Sequence, residues 1–178
     1  MKRVIAVLAV MTIAGAASAQ AQDKASGAAA STKGVTDIFH MAHGNIVKAA
    51  EQMPEDKYGF QPTKDVRTFG QIVAHIADAN NFFCSQVTAT PKDYSDKTEK
   101  TATTKAAIVA ALKASYDACG AAYGAVKDAD LSRALKIFGN DTNVAGALTF
   151  NTSHNWEHYG NLVTYLRLNG MVPPSSQQ

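Results

Sequence analysis

Four amphipathic segments, each long enough to form a helix, determine what this chain of 178 residues can fold into. In each segment, apolar residues recur every three or four positions, the spacing that places them on one face of an α-helix. The segments cover residues 35–53, 69–87, 103–126 and 144–166. No segment shows the sustained alternation of apolar and polar residues that is typical of a half-buried strand. The pattern therefore predicts an all-α protein, a single four-helix bundle.

The connection between the second and third helices bears on the topology of this bundle. Residues 89–101 form a polar linker of about 13 residues, whereas antiparallel neighbours usually need only about 2–8. An extended linker of that length reaches on the order of 40 Å, and a helix of about 20 residues is roughly 30 Å long. The linker can therefore cross the length of the bundle, which would leave the second and third helices parallel.

The two cysteines of the chain would meet in this parallel arrangement. Cys84 and Cys119 each lie about 16 residues into their helices, so parallel helices place them at the same level and antiparallel helices place them far apart. In an oxidising compartment, a Cys84–Cys119 disulfide would stabilise the fold by about 3–4 kcal/mol on the chain-entropy model. Two buried free thiols are an equally good interpretation, so the pairing is open at this point.

The start of the chain has the three parts of a secretory signal peptide. Positive charge at residues 2–3 precedes an apolar run over residues 4–17, and an Ala-Ser-Ala cleavage site ends at Ala19. The apolar run is short for a membrane span, although an uncleaved anchor is the alternative. We therefore expect a periplasmic or secreted protein, in a compartment where disulfides form.

Composition along the chain predicts four parts and limits the partners. These are a signal peptide (1–19), a flexible Ala/Ser/Lys-rich leader (20–33), the helical bundle (34–174) and a disordered tail (175–178). No later stretch approaches 18 apolar residues, so we expect no stable membrane span after signal cleavage. The formal net charge is +2, and residues 2–3 supply both excess positive charges. The rest of the chain is neutral, which argues against nucleic acid as a partner. The oligomeric state is open between a monomer and a homodimer.

Three histidines on the predicted inner faces are candidate metal ligands. His154 and His158 lie four positions apart on the apolar face of the fourth helix, which brings their Cβ atoms to about 5–6 Å. That separation suits two imidazoles on one ion, with nitrogens about 2.0–2.1 Å from it. His75 lies on or beside the inner face of the second helix. Three imidazoles and one open position are typical of catalytic zinc, and nickel and iron also accept imidazole. The alternative is that these three are structural core histidines. We interpret His40 and His43, on the first helix, as structural or surface residues.

The segment HNWEH also contains an acidic side chain with a candidate chemical role. It matches the H-x-x-E-H motif of inverted zinc proteases, but those enzymes need a later acidic ligand, and residues 159–178 contain no Asp or Glu. We therefore do not expect a protease of this class. Glu157 is still the candidate catalytic residue, as a proton acceptor for metal-bound water. The alternative is that it is a solvated charge on the helix surface. Asp78 is a candidate for orienting an imidazole. We interpret three nearby aromatic residues as packing: Phe150, Trp156 and Tyr159.

These residues together resemble the DinB-like (DinB/YfiT) family of four-helix bundles, which is not the DNA polymerase of that name. The resemblance rests on TFGQIVAHIADANNFF and on HNWEHYGNLVTYLRLNGMVPP, and it covers about residues 35 to 174. It implies parallel second and third helices joined by a long connection. It also implies a divalent metal held by one histidine of the second helix and an H-x-x-x-H pair of the fourth. Here these are His75, His154 and His158.

The resemblance leaves two classes of function open. In the first, the protein is a metal-dependent enzyme acting on a small substrate, either a hydrolase or, as in the better understood relatives, a thiol-dependent transferase. Reduced thiol cofactors are scarce outside the cytoplasm, which weakens the second of these for a secreted member of the family. In the other class, the protein is a non-catalytic bundle that is stabilised by its metal or binds a partner.

Overall fold

The computed structural model describes residues 19–177, with side chains from residue 32 onward. Four long helices and a short one account for most of it, and a two-stranded hairpin is inserted before the last helix. In chain order these elements are α1 (Ala19–Gln52), α2 (Phe69–Gln86), α3 (Lys97–Thr101), α4 (Lys105–Ala125), β1 (Ala134–Ile137), β2 (Asn140–Asn143) and α5 (Val144–Leu168). The helical bundle fold is confirmed, with α1, α2, α4 and α5 as its four long helices. Among the described residues, no helix combines the length and the apolar character that a membrane crossing requires.

Side-chain caps at the start of three helices explain where these helices begin. Thr68 and Gln71 form a capping box at α2: the Thr68 hydroxyl accepts from the Gln71 N–H (3.2 Å), and the Gln71 side chain accepts from the Thr68 N–H (2.8 Å). Thr104 caps α4 and Asn143 caps α5 through their side chains. Each cap satisfies N–H groups that have no partner within the helix. The caps fix the first turn of each helix, and with it the side chains that face the core.

Helices α2 and α4 run parallel, which confirms the predicted topology. The Asn80 side-chain amide donates to the Ser115 hydroxyl (3.3 Å), and further along both helices Cys84 is joined to Cys119 by a disulfide with Cα atoms 5.2 Å apart. From the first pair to the second, the residue number rises by four in both helices, which happens only when the helices are parallel. The linker of residues 87–104 therefore returns along the length of the bundle, as its length allows.

Helix α5 runs antiparallel to α2, and α1 runs antiparallel to α4. His154 meets His75, whereas the hydroxyl of Tyr165, further along α5, donates to the carbonyl oxygen of Arg67, which precedes α2 (2.7 Å). Lys105, at the start of α4, donates to the carbonyl oxygens of Glu51 and Met53 at the end of α1, so these two helices also run antiparallel. The apolar stripes of all four long helices meet in one core.

A layer of buried amides and hydroxyls crosses this core. The Asn155 side-chain amide donates to Asn80 Oδ1 (2.9 Å) and to the carbonyl oxygen of Asn151 (2.8 Å), and its oxygen accepts from the Tyr116 hydroxyl (2.6 Å). All three asparagines are 0% exposed. Buried polar groups need such partners, because an unsatisfied one costs about 1–3 kcal/mol. The layer therefore favours a single register of α2, α4 and α5.

The structure differs from the sequence interpretation at both ends of the bundle. The predicted signal peptide lies, apart from Ala19, outside the described residues. Helix α1 extends back through residues 20–33, where the sequence predicts a flexible leader. The tail predicted to be disordered, residues 175–178, begins within a 3-10 turn at Pro174–Ser176. The N–H of Ser175 donates to the Tyr159 hydroxyl (2.9 Å), which attaches this part of the tail to α5.

Two further elements lie in segments that the sequence predicts as loops. Strands β1 and β2 are antiparallel, and the pair Ile137–Asn140 closes a two-residue turn, Phe138-Gly139. These strands have four residues each, too few for an alternating pattern to be visible. The short helix α3 lies within the polar linker. Its N-cap residue, Asp96, makes no capping hydrogen bond through its side chain.

Removing the disulfide should destabilise the protein. We expect the Cys84→Ala/Cys119→Ala double variant to lose about 3 kcal/mol of the free energy of unfolding, because the unfolded chain is no longer cross-linked. Urea unfolding of the variant and of the wild type, with and without reductant, measures this. Reductant should lower the midpoint of the wild type and leave that of the variant unchanged. Equal midpoints for oxidised and reduced wild type would contradict the prediction.

Candidate metal centre

Three histidines from two antiparallel helices converge on one point. The Nε2 atom of His154 lies 3.2 Å from that of His75 and 3.0 Å from that of His158. One ring nitrogen of each residue lies within 4.8 Å of the corresponding atoms of the other two. His154 and His158 lie one turn apart on α5, so the convergence with His75 depends on how α2 and α5 pack. The structure thus brings together the three candidate ligands.

The spacing and chemistry of these nitrogens fit a divalent metal ion. Two ligand nitrogens about 2.0–2.1 Å from a tetrahedral ion are about 3.3–3.4 Å apart, slightly more than the 3.0 and 3.2 Å observed. Small side-chain rotations would supply the difference. Three imidazoles suit zinc, nickel and iron. The three side chains therefore could hold one metal ion, with a fourth position free for another ligand.

The electrostatics of the site keep these imidazoles neutral. Burial, followed by the neighbouring histidines His158 and His75, lowers the pKa of His154 to about 3. Burial, with His75 and Arg67, lowers the pKa of His158 to about 4. The pKa of His75 is also lowered, mainly by burial and by Arg67, although Glu99 and Asp78 oppose this. Neutral imidazoles have the free lone pair that metal binding requires.

His75 makes polar contacts on the side of its ring that faces away from the cluster. Its Nδ1 atom lies 3.3 Å from the Tyr94 hydroxyl and 3.5 Å from Glu99 Oε2. The other oxygen of Glu99 accepts from Arg67 Nε (2.9 Å). Metal-binding histidines commonly donate their second N–H to such groups, which sets the tautomer and the ring orientation. No sequence pattern predicted these contacts, because Tyr94, Glu99 and Arg67 all lie outside the predicted helices.

The structure gives Asp78 a different partner from the one expected. Its carboxylate, 4% exposed, accepts from the backbone N–H groups of Thr98 (3.1 Å) and Glu99 (3.0 Å) at the start of α3. The expectation that Asp78 orients an imidazole directly is therefore wrong. It acts one step further away, because it caps α3 and so places the Glu99 side chain beside His75.

The other candidate residues lie outside the cluster. Glu157 has an exposed side chain and, within residues 19–177, makes no hydrogen bond. Its charge raises the pKa of His154 slightly against the larger effects that lower it. His43 stacks on Tyr116 with ring centroids 4.0 Å apart, and His40 is exposed on α1. The role proposed for Glu157 thus stays a prediction, and the contacts of His43 agree with a structural role.

The buried imidazoles should make the metal-free protein sensitive to mild acid. Unfolded histidines bind protons near pH 6.5, whereas His154 and His158 in the folded state do so only near pH 3–4. The free energy of unfolding should therefore fall as the pH is lowered from 7 to 5, a range above most carboxylate titration. Urea midpoints of metal-free protein at pH 7, 6 and 5 measure the slope.

The matched variants for this test are His154→Gln/His158→Gln and His40→Gln. The double variant should have a flatter pH dependence between pH 7 and 5, because it lacks the two groups whose pKa is lowered. The His40→Gln protein keeps both of these groups, so its pH dependence should be steeper than that of the double variant. An unchanged slope in the double variant would contradict the assignment.

Comparison with known proteins gives the chain a consistent set of relatives. The model of the DinB superfamily matches residues 38–162, which include all three histidines of the cluster. Among curated proteins, none matches significantly. A DinB-like protein from Bacillus cereus ATCC 10987 superposes with a TM-score of 0.69 at 17% identity, over 80% of this chain and 95% of its own. A DinB-like protein from Bacillus subtilis superposes with a TM-score of 0.64 at 21% identity, over 81% and 97%. At these identities the two crystal structures support the fold.

Proposed function

This chain belongs to the DinB superfamily, and we propose that it is an exported protein that binds one divalent metal ion through His75, His154 and His158. We further propose that it uses this ion to act on a small substrate, most simply as a hydrolase. The proposal rests on the convergence of three neutral imidazoles. The Nε2 atom of His154 lies 3.2 Å from that of His75 and 3.0 Å from that of His158. A cation satisfies all three lone pairs at once.

Three histidines would bind the ion, and neighbouring residues would orient the imidazole rings. A divalent ion with three imidazole ligands keeps one position for water or substrate and lowers the pKa of a bound water to about 7. His75 would be held in place by Tyr94 and Glu99, which accept from its Nδ1–H. Nδ1 of His154 and of His158 is buried and, among the described residues, has no hydrogen-bond partner.

Export favours hydrolysis over thiol transfer in this proposal. The signal-peptide pattern of residues 1–19 directs the chain to an oxidising compartment, and the Cys84–Cys119 disulfide is consistent with such a compartment. Low-molecular-weight thiols in their reduced form are scarce there. Water is available as a nucleophile in every compartment. Zinc, nickel and iron all fit the donor set, so the metal is a matter for measurement.

A second function class is a bundle that uses the metal only for stability. An ion that binds the folded state alone raises the free energy of unfolding by mass action. Both classes therefore predict metal binding and metal-dependent stability, and they differ only in turnover. A protein that binds metal and is stabilised by it, yet turns over none of a broad panel of esters, amides and phosphoesters, would favour the second class.

Metal content is the first test of the proposal. Mature protein expressed to the periplasm should contain about one equivalent of zinc, nickel or iron by mass spectrometry, because three imidazole ligands bind these ions tightly. The His154→Ala/His158→Ala variant should lose it. The His40→Ala variant, which removes an exposed histidine of α1, should keep it. Folded wild type that takes up none of the three metals after reconstitution would contradict the proposal.

The roles of Glu99 and Glu157 can be distinguished by measuring both the metal affinity and the turnover of each variant. Glu99→Gln should weaken metal binding by about ten-fold, because the orientation of His75 loses a charged acceptor. Glu157→Gln should leave the affinity unchanged and reduce turnover if Glu157 accepts a proton. Competition with a chelator measures the affinity. Wild-type affinity in Glu99→Gln would remove Glu99 from the site, and wild-type turnover in Glu157→Gln would remove Glu157 from the mechanism.

A further inference from the structure

A cluster of aromatic rings reaches the surface beside the three histidines. Phe138 in the hairpin turn, Phe150 in α5 and Tyr94 in the linker are 61%, 54% and 39% exposed. They lie against Phe82 and Phe83 of α2, which are buried. We call these five residues the aromatic patch. Single exposed apolar side chains are normal, whereas a cluster of them marks a site of interaction.

The rings of the patch form one continuous surface. Phe138 stacks on Phe82 with centroids 4.8 Å apart and planes 20° apart. Phe150 packs on Phe83 at 5.1 Å, and Tyr94 meets Phe82 edge-on at 5.8 Å. Helix α2 thus supplies the base, and three different segments of the chain supply the exposed rings. No residue of the patch carries a charge at neutral pH, so the surface suits an uncharged flat group.

The patch adjoins two of the three histidines: it lies beside the ring of His154, and it meets His75 on the side of the ring that faces away from the cluster. The ring of Phe83 lies 6.0 Å from the ring of His154, and the Tyr94 hydroxyl lies 3.3 Å from His75 Nδ1. Phe150 precedes His154 by one helical turn, so the two side chains lie on the same face of α5. A molecule bound to an ion at the cluster would therefore have the patch within reach.

The backbone of Phe138 indicates that its ring is there for more than packing. Phe138 and Gly139 both have positive φ, 49° and 80°, the pattern of a type I′ hairpin turn. Such turns strongly prefer Asn-Gly, because a bulky residue is strained at positive φ. Strain of this kind clusters at functional sites. Here it presents a ring that is still 61% exposed.

The space beside the patch has the size of one small molecule. A cavity of about 290 Å³ lies between the hairpin and the first turns of α5, and Phe138 and Phe150 both line it. Small-molecule sites usually begin near 300 Å³. A helix or a second subunit would need a much larger apolar area. The volume and the two aromatic walls fit a single planar ring.

We propose that the aromatic patch binds the planar aromatic part of a small-molecule ligand whose oxygen donor group binds the metal ion. The proposal rests on the proposed function, because the donor group needs the ion held by the three histidines. It defines the substrate class as aromatic compounds whose hydrolysable ester, amide or phosphoester group lies next to the ring. The patch contributes affinity by stacking and by burying the ring, and the ion fixes the position of the reacting group.

Two hydroxamates that differ only in the ring test this proposal. Benzohydroxamate and acetohydroxamate carry the same metal-chelating group, so the ratio of their affinities for the metal-loaded protein isolates the contribution of the ring. Calorimetry on the wild type should give about ten-fold tighter binding of benzohydroxamate. Phe138→Asn should reduce this ratio about three-fold or more and leave acetohydroxamate binding unchanged. Phe150→Gln, on a helix, is a second variant with the same expectation.

A loss of binding in these variants can be distinguished from a loss of folding stability. Phe138→Asn places the preferred Asn-Gly pair in the turn, so its thermal midpoint should equal or exceed that of the wild type. Met41→Asn is the matched control, because Met41 is also 61% exposed but lies on α1 away from the patch. It should keep the wild-type ratio.

The possible failures are distinguishable. Acetohydroxamate binding with a ratio that is the same in the wild type and in both patch variants would overturn the aromatic proposal and leave the metal site standing. A wild type that takes up no metal would contradict the proposed function, and this proposal with it. A wild-type dimer that Phe138→Asn converts to a monomer in light scattering would show that a second copy covers the patch, which would also overturn the proposal.

Discussion

The buried hydrogen bonds between Asn155, Asn80 and Tyr116 are the interaction on which the rest of the structure depends. They join α5, α2 and α4 in the middle of a largely apolar core. A shift of one turn between these helices would leave these polar groups buried without partners, in addition to disrupting the apolar packing. The Cys84–Cys119 disulfide adds a covalent link near the same level of α2 and α4.

The histidine cluster follows from this register. His154 directly precedes Asn155, and His75 lies five residues before Asn80, so the contact between the two asparagines also sets the distance between the two imidazoles. The core thus gives the site its rigidity, because ligands on two helices stay in place only if the helices do. The same arrangement keeps the imidazoles largely buried and neutral, as a metal site requires.

Much of the fold and part of the site could be predicted from the sequence. The helices were predictable because their apolar periodicity and their caps, such as Thr68, act locally. The three histidines were predictable from spacing and from the family resemblance. The roles of Glu99 and Tyr94 were not predictable, because both residues lie in a polar linker. The path of this linker depends on where the Asp78 carboxylate accepts hydrogen bonds from the start of α3. Phe138 was missed for a similar reason: four-residue strands leave no visible pattern, and the hairpin turn is strained rather than typical.

The sequence by itself determined the four long helices from residue 35 onward, which faces of them are apolar and which side chains are capable of binding a metal, because these depend on interactions within a few residues. Only the tertiary structure decided what surrounds the candidate ligands. The contacts of His75 with Tyr94 and Glu99, and the position of the aromatic patch beside His154, join segments far apart in the chain. Such contacts arise only when the long linker and the hairpin fold back onto α2 and α5, and no local pattern encodes that path.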